Sequence, residues 1–183
     1  MIKLKSILLE SITDTPEFKR WFGNSKVVDK HGNPLRVYHG TTADFDSFNN
    51  TKTGINDGGL WGRGHYFSAA ETNANSYALR QGDGARVIPV YVSIKNPLVL
   101  TTGKDLVIRL PDGTNYKELV GQNLDGRKIK DIAIAGGHDG VIQFKQDGKI
   151  GDLVAYKSEQ IKSAIGNNGK FDPNNIDITK ENG

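Results

Sequence analysis

The sequence predicts an α+β domain built mainly from antiparallel strands. Three features carry this expectation. Val- and Ile-rich runs such as "RVIPVYVSIKNPLVL", "GVIQFK" and "GDLVAY" are bounded by turn residues and read as strands. Helical stretches with their own start and stop signals lie between them. The length of 183 residues, with 36% hydrophobic and 25% charged content, suits one domain with its own core.

Leu4, Ile7, Leu8 and Ile12 fall at helical spacing and predict a short amphipathic helix, or a linker to a larger protein, over residues 1–13. "DTPEFKRWFGN" follows, with Thr15 as N-cap, Pro16 at the first helical position and Gly23 as the stop; this helix presents Phe18, Trp21 and Phe22 to a core. "KVVDKHGNPLRVYHG" reads as two short strands around a His-Gly-Asn-Pro turn, which puts His39 at a strand end. "GINDGGLWGRG" has five glycines in eleven residues and predicts a mobile or closely approached loop leading into the short strand "HYFS".

Ser68 and Glu71 have the spacing of a capping box, which predicts a helix running to about Gln81 ahead of Gly82. "ARVIPVYVSIKNPLVL" reads as strand, with Pro89 predicting an edge position or a bulge. Helices are expected around 115–121 and 125–136, the second ended by "GGHDG", and "GVIQFK", "GDLVAY" and "QIKSAI" read as three more strands. The end of the chain is polar and rich in turn residues, with 175–183 expected as a tail.

Composition narrows the chemistry. A net charge of +3 and a pI near 9.0 suit an anionic small molecule, a nucleic acid or an acidic protein surface equally. The absence of cysteine excludes disulfides, thiolate zinc sites and thiol redox chemistry. "ILL" near the start is too short for a signal sequence, and no segment approaches the ~20 apolar residues of a membrane span, so a soluble, intracellular protein is expected. His31, His65 and His138 are dispersed and lack metal-ligand spacing, so no metal is expected. "DGGLWGRG" matches neither a P-loop nor a dinucleotide fingerprint. "DGRKIK" reads as a solvated helix face and is the only local hint of a nucleic-acid target.

Singly, each candidate residue has an ordinary structural reading: a strand-end histidine for His39, an alternating strand residue for Tyr66, a helix-face anchor for Tyr77 and a turn residue for Asp152. Together, "YHGTT", "GRGHYFS" with Tyr77 eleven residues after Tyr66, "GHDGVI" and "GDLVAYKSEQIKSAIGNNGKFDPNN" form an ordered set. That set resembles the ADP-ribosyltransferases of the diphtheria-toxin and poly-ADP-ribose-polymerase type. More narrowly, it is similar to the bacteriophage domains of polyvalent and MuF-associated capsid proteins, to which "TPEFKRWFGNSKVVD" is also similar. The resemblance covers roughly residues 14–174, leaving 1–13 and 175–183 as appendages.

The resemblance implies two small antiparallel sheets packed face to face with flanking helices, and NAD⁺ as substrate in the cleft between them. It implies a catalytic His39, Tyr66 and Asp152. His39 would contact the adenosine ribose, and the Gly40 backbone, with the Thr41 hydroxyl, would hold nicotinamide. Tyr66 and Tyr77 would flank the nicotinamide ring, with Arg63 as a possible phosphate contact. Relatives usually carry glutamate in "Glu-Tyr-Val" where this chain has Asp152, which keeps the charge one methylene shorter. The implied activity is nicotinamide release and transfer of ADP-ribose to a host macromolecule, protein before nucleic acid, in a bacterial host's cytoplasm or from a phage particle. The alternatives are NAD⁺ hydrolysis, a weakly active or silent nucleotide-binding phage domain, and nucleic-acid modification.

Overall fold

The computed structural model describes residues 12–43, 47–48, 59–121, 126–167, 169 and 171–178. The helix expected over residues 1–13, apart from Ile12 and Thr13, and residues 54–58 of the glycine loop lie outside them. In chain order the elements are α1 (Pro16–Phe22), β1 (Val37–Thr41), β2 (His65–Ser68), α2 (Glu71–Gln81), β3 (Arg86–Val92), β4 (Pro97–Thr102) and β5 (Ile108–Arg109). They continue as α3 (Tyr116–Val120), α4 (Arg127–Ala135), β6 (Gly140–Phe144), β7 (Ile150–Ala155), a single 3₁₀ turn at Ser158–Gln160 and β8 (Ile161–Ser163). The α+β class expected from the sequence is the one observed. No helix among the described residues is long and apolar enough to cross a membrane.

The strands form one hydrogen-bonded order, β5-β4-β6-β7-β2-β1-β3-β8, in which only β4 and β6 run parallel. The two sheets implied by the resemblance are thus halves of one sheet. They meet at β1 and β2, which share a single register pair, Tyr38 with Ser68, whereas β1 pairs with β3 over all five of its residues. One apolar cluster draws on both halves: Val37, Val90, Val92 and Ile161 from one, Phe67, Ile142, Leu153 and Ala155 from the other. A second cluster on the larger half joins Trp61, Val141 and Val154 to Ile129 and Ala133 of α4.

Local chemistry accounts for most elements. Thr15 Oγ1 accepts from Phe18 N at 3.2 Å, Pro16 opens α1, and Gly23 ends it at φ +54°. The helix buries Phe18, Trp21 and Phe22 against Tyr91 and Phe171, with Phe18 and Phe171 edge to face at 5.0 Å. Packing continues past residue 174, since Ile178 joins the first cluster. Lys162, fully buried, donates from Nζ to the Asn175 and Asp177 carbonyls at 2.6 and 3.3 Å and so holds this closing segment.

Three local expectations are corrected. Ser68 does not cap α2: Ala70 is the N-cap, without a side-chain bond, and Ser68 Oγ accepts from Ala70 N at 3.3 Å while ending β2. Pro89 is not on an edge, because β3 lies between β1 and β8. Its carbonyl accepts from Ala164 N at 3.0 Å, but it has no N–H to return, and the β3–β8 ladder stops there. Ahead of β1, the first of the two expected strands is reduced to one bridge, Val28 with Pro34, around a turn whose amides Asp29 Oδ1 gathers from His31 and Asn33.

The "GHDG" and "QIK" blocks fasten the frame. Asp139 accepts from the Lys95 and Asn96 amides at 2.8 and 2.9 Å. Gln160 Oε1 accepts from the amides of Tyr156 and Lys157, and its Nε2 donates to the carbonyls of Ser93 and Asp139. Four backbone groups would lose their partner in Gln160→Leu, so this variant is expected to lose about 2–4 kcal/mol of stability in urea unfolding. A loss below about 0.5 kcal/mol would show that the clamp is not needed.

Candidate functional site

The site begins where the sheet nearly divides. After Tyr38, β1 has no register pair with β2. His39 spans the break with its side chain: Nδ1 lies 2.9 Å from the Tyr66 carbonyl oxygen. A carbonyl can only accept, so Nδ1 carries the proton and Nε2 is the acceptor nitrogen of the neutral ring. The ring is edge-on to Phe48, with centroids 4.9 Å apart, and tilted against Phe67. Burial pulls its pKa below the ordinary histidine value, outweighing the opposing effect of the Tyr66 carbonyl. Next to it, His65 is buried and edge-on to Phe48; burial first, then the charges of His39 and Lys130, bring its pKa down to about 4.

Strand alternation sorts the candidates by face. Ser68 is the register partner of both Tyr38 and Asp152, and Tyr66 lies two residues before it, opposite Val154. Tyr66, Ser68 and Asp152 therefore share one face of β2 and β7. His39 shares the other face with Val37, toward Phe67 and Phe48. So the structure brings Tyr66 and Asp152 together on neighbouring strands, while His39 reaches Tyr66 only through the backbone.

Asp152 is half-buried, and its carboxylate has no hydrogen-bond or ion-pair partner among the described residues. It sits in a bulge: the β6–β7 register passes from Ile142 with Leu153 to Phe144 with Ile150, so Gln143 faces both Gly151 and Asp152.

The described part of the glycine loop, from Gly59 onward, is closely approached rather than loose. Tyr66 Oη accepts from Trp61 N at 2.9 Å and donates to the Gly62 carbonyl at 2.7 Å. Tyr116 Oη donates to the Leu60 carbonyl, and Lys130 Nζ donates to the Arg63 carbonyl at 2.6 Å. The Trp61 indole stacks on Tyr66 with centroids 6.2 Å apart, so the Tyr66 hydroxyl and one ring face belong to the loop. The Lys130 ammonium also lies 5.1 Å from the centre of the Tyr156 ring. Burial lowers the Lys130 pKa and raises that of Tyr156.

The remaining candidates fall as follows. At Gly40 a Cβ would overlap the Ala74 carbonyl oxygen of α2, so the helix backbone takes the close approach that the glycine permits. Thr41 is buried, and its Oγ1 accepts from Ala43 N at 3.0 Å within a turn. Tyr77 is 54% exposed on α2, with the Arg80 guanidinium 5.5 Å from its ring centre. Arg63 is exposed. A cavity of about 970 Å³ opens elsewhere, between α1 and the Val28–Pro34 turn, lined by Phe18, Phe22, Arg36 and Tyr91 and by none of these candidates. Sequence reasoning missed Ser68 as the shared register partner, Trp61 as the cover of Tyr66, and Gln143 with Gly151. The one available signal was Gly151 immediately before a candidate carboxylate, since glycine inside a strand marks a bulge.

Both imidazoles favour the neutral form, so below about pH 6.5 the unfolded chain binds more protons than the folded one. The stability they contribute is complete above that pH and is lost as pH falls toward about 4 for His65. His65 alone is expected to cost about 2 kcal/mol at pH 5 relative to pH 7.5. Denaturant unfolding at the two pH values should show a smaller difference in His65→Phe, and equal differences in parent and variant would contradict the assignment.

No curated protein matches the chain. The family described as ADP-ribosyltransferase in polyvalent proteins matches residues 29–171, a span that holds β1, β2, β7 and every candidate residue above. With that span covered, the chain belongs to the family of ADP-ribosyltransferases found in polyvalent proteins.

Proposed function

We propose that the chain uses NAD⁺ as substrate, releases nicotinamide and passes ADP-ribose to a nucleophile on a host macromolecule, protein before nucleic acid. The observation that carries this reading is Asp152: a half-buried carboxylate without a partner among the described residues, on the strand beside Tyr66 and on the same sheet face. Leaving a carboxylate unpaired is reasonable where a substrate brings the complementary charge. In the proposed step the C1′–N bond breaks and its electron pair leaves with nicotinamide, which becomes neutral. The ribose passes through an oxocarbenium-like state that the Asp152 carboxylate stabilises. The acceptor then bonds to C1′ and loses a proton.

In this reading Tyr66 and Tyr77 flank the nicotinamide ring. His39 offers its Nε2 to the adenosine ribose at the break between β1 and β2, Gly40 holds the carboxamide through its backbone, and Thr41 borders that contact. Arg63 is assigned to a phosphate. Arginine is not supported as acceptor, because the acidic or glutamine residue of arginine-modifying relatives is Ile150 here. The site of action is assigned to the bacterial host cytoplasm, with delivery from a phage particle. One observation favours a second reading, a nucleotide-binding domain with little turnover: aspartate is one methylene short of glutamate, and a displacement of about 1 Å can cost on the order of 100-fold in rate.

Nicotinamide release by the purified chain, with and without bacterial lysate, tests both readings. Asp152→Ala is expected to abolish release, and Asp152→Glu to match or exceed the parent. Release unaffected in Asp152→Ala would remove Asp152 from the mechanism. Release only in Asp152→Glu would favour the second reading. Protein-linked label, as against free ADP-ribose, separates transfer from hydrolysis, and protease or nuclease sensitivity identifies the acceptor class. His39→Ala is expected to weaken NAD⁺ binding about tenfold, the value of one good hydrogen bond, and unchanged affinity would sink the assigned contact.

A further inference from the structure

We infer that Gln143 is a positioning residue for the Asp152 carboxylate, acting through the β6–β7 bulge; its catalytic consequence rests on the function proposed above. The two apolar clusters reveal what the bulge does. On β6, Ile142 and Phe144 face the first cluster and Val141 the second. On β7, Ile150, Leu153 and Ala155 face the first cluster and Val154 the second. Uninterrupted alternation from Ile150 would place Asp152 on the same side as Ile150, in the apolar core shared by both halves of the sheet. The extra residue resets the phase, so Asp152 shares the face of Val154, Ser68 and Tyr66.

The bulge has a specific support. Gln143 is 7% exposed, and its side-chain amide has a partner at each end. Its Nε2 donates to Thr102 Oγ1 at 2.5 Å and to the Phe144 carbonyl at 2.7 Å. That fixes which end of the amide is oxygen, and Oε1 accepts from Asp152 N at 3.4 Å. Within the bulge the Gln143 side chain thus gives this amide an acceptor. The space exists only because residue 151 is glycine: a Cβ there would overlap Gln143 Oε1. From the opposite side, Ala69 N donates to the Gly151 carbonyl at 2.8 Å, so the bulge is held from both neighbouring strands.

Gln143→Leu keeps the size of the side chain and removes its hydrogen bonds; Gly151→Ala displaces the amide while leaving it intact. In full-length protein, each is expected to lower kcat for nicotinamide release about 10- to 100-fold with KM for NAD⁺ changed less than about twofold. The double variant should be no worse than the poorer single variant, because both act through one contact. Amide exchange at Asp152 should accelerate in each. Unchanged kcat, a rise in KM that accounts for the loss, or multiplicative effects in the double variant would overturn the inference. If neither the parent nor Asp152→Glu releases nicotinamide, the proposed function fails, and exchange at the Asp152 amide decides the positioning alone: acceleration in Gln143→Leu supports it and unchanged protection overturns it.

Discussion

The single register pair between β1 and β2 is the constraint on which the rest of the structure depends. A full ladder there would carry the pairing along the whole of β1 and bury its edge beyond Tyr38. With one pair, the strands stay joined but separate from His39 onward, and a side chain replaces the missing backbone bond. The His39 imidazole, donating to the Tyr66 carbonyl, ties the two halves together at the point where the ladder fails. His39 is therefore the middle residue of β1, in register with Ile88, rather than at the strand end the sequence suggests. Histidine suits the position because it supplies a donor on a stiff planar ring and neutral packing surface for Phe48 and Phe67.

Around this joint the chain uses side-chain amides and carboxylates to fasten backbone that regular ladders leave unpaired. Asp139 holds the connection from β3 to β4, Gln160 joins the exits of β3 and β7, and Gln143 holds the bulge. Each is a polar group whose partners are mostly main-chain atoms, which is how a small sheet tolerates irregular turns without orphaned donors. Against that pattern, the Asp152 carboxylate stands out as a group without a partner among the described residues.

The glycine loop shows how packing can reverse a local expectation. Five glycines in eleven residues suggest freedom, yet from Gly59 onward the tyrosine hydroxyls of Tyr66 and Tyr116 and the ammonium of Lys130 grip the loop backbone. Glycine serves close approach here, and the same holds for Gly40 beneath Ala74 and Gly151 beside Gln143. The sequence marks each position as special without saying whether a ligand or another part of the chain comes near.

What the sequence determined by itself was local and chemical. The caps of α1, the α+β class and the ordered blocks that carry the family are written in short-range patterns whose physics does not need distant partners. Contacts between distant segments, by contrast, set which faces those residues share. Asp152 lies beside Tyr66 because a bulge resets the phase of β7, and His39 lies on the opposite face because its neighbour Tyr38 is the residue in register with Ser68. Ser68 became a register partner instead of a helix cap for the same reason. Strand register is set by contacts between residues far apart in the chain, and a slip of one residue turns every side chain to the other face.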